Sequence, residues 1–151
     1  MRGVLLAIVS SLFVLIAQAE SPFDVAVECI KRYEGLHSDK HHPYVGYGHR
    51  LLPGEHFSAD MNESSADSLL RADLLRRCKT FRAFGKDSLL FATLAYNIGE
   101  SRVLKSRLIQ KVKAGCRDIY HDYITFRFIN GKMSVQLEKR RKEEFNLLYN
   151  E

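Results

Sequence analysis

Residues 21–34 read Ser-Pro-Phe-Asp-Val-Ala-Val-Glu-Cys-Ile-Lys-Arg-Tyr-Glu and are followed by Gly35. Phe23, Val27 and Ile30 recur with helical spacing, which predicts an amphipathic helix. Its ends are marked as well. Ser21 suits the N-cap, Pro22 the first helical position and Gly35 the place just past the C-terminus, while Asp24 puts negative charge in the first turn. Asp24, Glu28, Lys31 and Arg32 form the wet face. Glu34 does not belong to that face: at about 100° per residue it falls about 20° from Val27, on the apolar stripe. A carboxyl group beside apolar surface keeps its proton more readily than one in water, because desolvation disfavours the ion, and such a group can serve as a general acid. Glu34 is therefore the first candidate for chemistry. The alternative is an ordinary salt-bridged glutamate at a helix end.

Outward from this helix the chain reads as one mainly helical domain with a small β element. His37 to His42 is polar, and Pro43-Tyr44-Val45-Gly46-Tyr47-Gly48-His49 carries two glycines and two aromatics without helical period. That composition suits a short hairpin or three-stranded ribbon, closed by the Pro53-Gly54 turn. Asn62 caps a helix expected to run to about Phe81, with Ala66, Leu69, Leu70 and Leu74 as its stripe. Ser88 to Ile98 is apolar almost all round, the pattern of a helix buried at the centre of a domain, and Gly99 stops it. Further helices are expected over Ser106–Ala114, Arg117–Phe126 and Ser134–Leu148, with Gly115 and Gly131 as breaks.

The first 19 residues hold one basic residue, Arg2, then an apolar run from Val4 to Ile16 and the small-residue site Ala17-Gln18-Ala19. This is the pattern of a secretory signal peptide. An uncleaved membrane anchor is the alternative, for which the run is short against the roughly 20 apolar residues of a spanning helix. Residues 20–151 then form one domain of 132 residues, enough for a real core. The expected location is outside the cytoplasm, periplasmic or secreted. The whole chain carries a formal charge of +5; without Arg2, 22 basic residues face 18 acidic ones, leaving +4. Positive surface speeds encounter with polyanions, here cell-wall polymers and anionic lipids. Nucleic acid is discounted, because the basic residues alternate with acids and the leader directs the chain away from it. The run Lys139–Lys142 reads as a solvated helix face. Cys29, Cys78 and Cys116 are odd in number and lack metal-ligand spacing, so buried or free thiols are expected.

The segment from Glu34-Gly35 to Gly46-Tyr47-Gly48-His49 resembles the start of the phage-type lysozymes, or endolysins, whose catalytic glutamate ends the first helix and is followed by a small hairpin. Leu69, Leu70 and Asp73 resemble the next family helix, Ala95-Tyr96-Asn97-Ile98-Gly99 the end of its buried central helix, and Ser106–Gly115 the short helix after it. Leu137–Leu148, with Arg140, Arg141 and Glu144, resembles the last. The resemblance covers nearly all of the chain after residue 21. It implies a lysozyme-like α+β fold, mainly α, with a small hairpin lobe beside a helical lobe built around a buried central helix. It implies a peptidoglycan hydrolase acting as a monomer, with no metal or organic cofactor, that cleaves the β-1,4 bond between N-acetylmuramic acid and N-acetylglucosamine. Membrane contact is expected only if the N-terminal segment stays attached.

Glycosidic hydrolysis needs an acid for the leaving oxygen and a second group that activates water or stabilises the oxocarbenium ion. The resemblance makes Glu34 the acid. Asp39 is the only carboxylate between Glu34 and His49, and is the candidate partner. Family members usually carry an aspartate and then a threonine two residues before the first glycine. Tyr44 stands at that place here, and the interval from Glu34 to Gly46 is shorter, so the threonine's water-positioning role does not transfer. His41 and His42 are further candidates, since imidazole takes a proton near neutral pH. Without a second group, Glu34 alone would favour intramolecular attack by the muramic acid hydroxyl, the chemistry of a lytic transglycosylase on the same fold. A wall-binding protein without activity is the reading from another class. In support of the site, a buried His49–Asp73 pair would tie the small lobe to the next helix, Arg140 or Arg141 would approach Glu34, and Asn97 would bond a sugar acetamido group or cap its helix.

Overall fold

The computed structural model describes residues 20–149, so the expected leader at 1–19 lies outside the described residues. The first helix, α1 (Pro22–Glu34), begins where the sequence places it: the Ser21 side chain accepts from the Asp24 N–H, and the Gly35 N–H returns to the Lys31 carbonyl. A 3₁₀ turn (Asp39–His41) leads into a hairpin of two-residue strands, β1 (Tyr44–Val45) and β2 (His49–Arg50), paired Tyr44 to Arg50 and Val45 to His49. The hairpin reading holds, and among the described residues no third strand joins this sheet.

Helix α2 (Glu63–Thr80) starts from the Asn62 cap, whose side chain accepts from the Ser65 N–H. After a 3₁₀ stretch (Arg82–Asp87) comes α3 (Ser88–Ile98), with Leu90 to Ala95 all buried. The other helices pack around it. Ala26, Val27 and Ile30 of α1, Leu70 and Leu74 of α2, and Phe145 and Leu148 of the last helix join one core with Leu90, Phe91 and Leu94. Burying each of the larger of these side chains, valine to phenylalanine, stabilises the fold by about 1.5–3 kcal/mol.

Gly99 ends α3 but also caps a short further helix, α4 (Glu100–Leu104), which periodicity does not reveal. Helix α5 (Arg107–Lys113) follows its Ser106 cap. The helix expected over Arg117–Phe126 is reduced to α6 (Tyr120–Ile124) and a 3₁₀ turn (Thr125–Arg127). Arg117 is the reason: its guanidinium pairs with Asp87 and its carbonyl accepts from the Tyr149 hydroxyl at 2.6 Å, which holds its backbone outside any helix. A second hairpin, β3 (Phe128–Ile129) with β4 (Lys132–Met133), then turns at Asn130-Gly131, where φ is +50° and +77°. Positive φ at both central residues is the demand that Asn-Gly meets in a two-residue hairpin turn. Helix α7 (Val135–Leu148) completes the domain.

One sequence expectation is overturned in α7. Lys139 and Lys142 are exposed, but Arg140 and Arg141 between them are only 3% and 0% exposed. They are inside because carboxylates meet them there. Cys29, Cys78 and Cys116 are all free thiols, and burial with the nearby Glu144 carboxylate pushes the Cys29 thiol up to about 12. Among the described residues no helix is long and apolar enough to cross a membrane.

Candidate active site

Where α1 ends, the chain must turn under the first hairpin, and a cleft of about 290 Å³ opens between them and the end of α3. Glu34, His37, Tyr44, Gly48, Tyr96 and Asn97 line it. Two glycines make this approach possible. Gly46 (φ +56°) lies against α2, where a Cβ would meet that of Ala66 at 3.3 Å, and Gly48 (φ +94°) faces the glutamate, where a Cβ would lie 3.4 Å from Glu34 Oε2. The Tyr96 hydroxyl donates to the Tyr47 carbonyl at 2.9 Å, fixing the hairpin loop to the central helix.

The Glu34 side chain is 19% exposed, at the rim of the core. Its Oε1 accepts from Arg140 Nη1 at 2.8 Å, so Oε2 is the oxygen turned toward Gly48. Arg140, rather than Arg141, is thus the residue of α7 that reaches the glutamate. Behind it runs a buried file of alternating charge. Arg140 Nε donates to Glu144 Oε1 at 2.8 Å, Glu144 Oε2 lies 2.8 Å from Arg141 Nη1, and Arg141 Nη2 donates to Asn97 Oδ1 at 2.8 Å. The Tyr123 hydroxyl also donates to Glu144 at 2.9 Å. Burial works against the charge on Arg140, but the carboxylates of Glu144 and Glu34 outweigh it and hold its pKa above the ordinary value. Buried charges persist when they are paired in this way. Asn97 therefore does more than end its helix: its Oδ1 is held by Arg141, and the residue lines the cleft.

His49 and Asp73 form the pair read from the sequence, with Nδ1 to Oδ2 at 2.7 Å, both almost wholly buried. Glu55, which sequence reasoning missed, takes the other nitrogen at 2.8 Å. Burial opposes a charge on His49, yet these two carboxylates raise its pKa above 6.5. The pair stands behind the hairpin and ties β2 to α2.

Asp39 and His42 are not brought into the cleft. Both are exposed; Asp39 opens the 3₁₀ turn, and His42 lines a separate hollow with Pro43 and Arg50. His41 lies behind His37, stacked on it at 4.6 Å between ring centroids, and its Nδ1 accepts from the Ser38 N–H at 3.0 Å. Tyr44 does line the cleft, 42% exposed. His37 and Tyr96 are the lining residues that sequence reasoning did not single out. Tyr96 carried a signal, as a polar-tipped aromatic near the end of an otherwise apolar helix. His37 carried none, because beyond Gly35 no period predicts where a side chain points. A second hollow of about 470 Å³ shares Asn97 with the first and runs over Phe126, Phe128 and Ile129.

Comparison with known proteins agrees with this architecture. A muramidase domain of SpmX from Asticaccaulis excentricus superposes with a TM-score of 0.71 at 23% identity, covering 88% of this chain and all of that one. The endolysin from Escherichia coli O157:H7 phage FAHEc1 gives 0.66 at 20% identity, covering 82% of this chain and 90% of the other. At such identities the likeness establishes the fold. No curated protein sequence matches the chain. Residues 31–144, from the last turn of α1 to Glu144 in α7, match the family model of phage lysozyme, and the chain belongs to that family.

Proposed function

We infer that the protein is an N-acetylmuramidase that cleaves the β-1,4 bond between N-acetylmuramic acid and N-acetylglucosamine in peptidoglycan, with Glu34 as general acid. The observation that carries this reading is the setting of Glu34: one carboxylate oxygen is fixed by a buried arginine and the other faces a cleft. A proton on Oε2 is the one available to a leaving oxygen. Once it is given up, the carboxylate left behind already has Arg140 in place, so no reorganisation is needed to stabilise it. Glu144 shares that arginine's charge from behind. The hollow over Phe128 gives a polysaccharide room to continue past Asn97, whose side-chain amide would meet an acetamido group. The residues before Glu20 serve as an export signal, and the domain acts as a monomer on the wall outside the cytoplasm.

The test compares muropeptides released from purified peptidoglycan by the native protein and by Glu34→Gln. Glutamine keeps an oxygen for Arg140 but has no acidic proton. A loss of at least about 10²-fold is expected, the scale for removing a general acid. Unchanged clearing of a cell-wall suspension by the variant would contradict the assignment, and no clearing by the native protein would point to a wall binder instead.

A further inference from the structure

Hydrolysis at this site, on the reading above, needs a group besides Glu34 that can take a proton from water. Of the six residues lining the cleft, Gly48 has no side chain and Asn97 does not titrate. Tyr44 and Tyr96 carry phenol hydroxyls, which serve as donors before they serve as bases; Tyr96, moreover, already donates to the Tyr47 carbonyl, and burial raises its pKa above the ordinary value. Asp39, the carboxylate nearest in sequence, is exposed and outside the cleft. His37 remains.

We infer that His37 is the catalytic base of this cleft, the residue that takes the proton from the attacking water. Its backbone N–H donates to the Gly46 carbonyl at 2.8 Å, which locks the residue between the end of α1 and the hairpin. Its ring is held by the His41 stack on one side and by the edge of Tyr44 at 6.4 Å. Nδ1 is shut away from solvent without a close hydrogen-bond partner among the described residues, so Nε2 is the nitrogen open to the cleft. The titratable groups facing it are Glu34 from α1, His41 from the 3₁₀ turn, Tyr44 from β1 and Tyr96 from α3. Burial, then His41, lower the pKa of His37 below 6.5, against the opposing pull of the Glu34 side chain and backbone carbonyl. The lowered pKa favours the neutral imidazole, which has a lone pair to offer.

The step balances without a further reactant. The water oxygen forms a bond to C1 of the N-acetylmuramic acid as the bond from C1 to the glycosidic oxygen breaks. The Glu34 proton goes to that leaving oxygen, and the proton released by the water goes to His37 Nε2. Attack from the face opposite the leaving group inverts the anomeric centre. Glu34 ends ionised and His37 protonated, and solvent returns the proton.

The experiment measures reducing ends released from purified peptidoglycan by the native protein, Glu34→Gln and His37→Gln across the pH range, with thermal midpoints for each, and identifies the first product of the native protein by proton NMR. His37→Gln is expected to lower kcat by about 10²-fold with little change in KM or thermal midpoint. It should also abolish the limb along which native activity rises as pH climbs out of the acid range. The native protein should release the inverted α-anomer without anhydro ends. Retention of kcat within about threefold by His37→Gln, persistence of its acid limb, or anhydro ends from the native protein would overturn the assignment. Should His37→Gln not fold, the native product and the native acid limb, with a midpoint below the ordinary 6.5 of histidine, still decide it. Loss in Glu34→Gln together with full activity in His37→Gln would sink the base alone; full activity in Glu34→Gln would sink the glycosidase reading beneath it.

Discussion

Replacing Arg140 by methionine tests whether the file of buried charges is a working part of the fold. The guanidinium is 3% exposed and bridges Glu34 and Glu144, each at 2.8 Å. In the native protein the charges alternate, two carboxylates against two guanidinium groups. Methionine fills much of the volume and leaves Glu144 with Arg141, but it strips Glu34, only 19% exposed at the rim of the core, of its guanidinium partner. Breaking a buried pair by removing one partner costs about 3–5 kcal/mol, a large share of the roughly 5–15 kcal/mol by which a domain is stable. For a chain of this size that is a fall of about 10–20 °C in thermal midpoint. Adding Glu34→Gln removes the stranded charge and leaves Glu144 paired with Arg141. The double variant should therefore be more stable than the sum of the single losses predicts, by about 1–3 kcal/mol. Urea unfolding of the four proteins reads all these quantities. A loss under about 1 kcal/mol for Arg140→Met, or additivity within about 0.5 kcal/mol, would refute the argument that the charges act as one unit.

Other outcomes follow from the same geometry. His49 has a raised folded pKa, so its contribution to stability is fully present below about 6.5 and is lost as pH rises through the higher folded value. The native thermal midpoint should fall across that window more steeply than that of His49→Gln, and equal slopes would contradict the pairing with Asp73 and Glu55. Gly48→Ala forces a side chain into φ +94° and puts a carbon 3.4 Å from Glu34 Oε2; a stability loss of about 1–2 kcal/mol and a sharp fall in muramidase turnover are expected from denaturation and turbidity assays. Tyr96→Phe removes the donor to the Tyr47 carbonyl, at a cost of about 1 kcal/mol, and should raise KM as the hairpin loosens; unchanged KM would show that the loop needs no such tether.

The parts of this protein that could be read from the sequence are those governed by local rules. Ser21, Asn62, Ser106 and Ser134 cap the helices that they precede, and the apolar run from Leu89 to Ala95 announces a central helix. Glu34 stood out because it broke a periodicity. Two misses came from competing rules. Asn130-Gly131 is a strong hairpin signal, yet Gly131 taken only as a helix break conceals β3 and β4. Lys139–Lys142 reads as a wet face because charge ordinarily seeks water, whereas Arg140 and Arg141 find Glu144, Glu34 and Asn97 inside. The placement of His37 follows from no local rule. The His41 ring stacks on it from the 3₁₀ turn, but the Gly46 carbonyl that anchors its backbone arrives only once the hairpin has closed on α1.

Both walls of the cleft depend on the last helix of the chain. Arg140 reaches Glu34 across 106 positions of sequence, and Arg141 reaches Asn97 across 44. Consecutive residues of a helix diverge by about 100°, so this neighbouring pair can hold α1 with one side chain and the end of α3 with the other. Glu144, one turn further along, lies against both arginines. The spacing between the proposed proton donor and the amide that would meet the sugar is thereby set by one rigid element rather than by two loops. Contacts of such separation close only after most of the chain has collapsed. The glutamate is therefore held in its working orientation only in the folded domain, and a change in α7 that touches no substrate reaches both sides of the cleft at once.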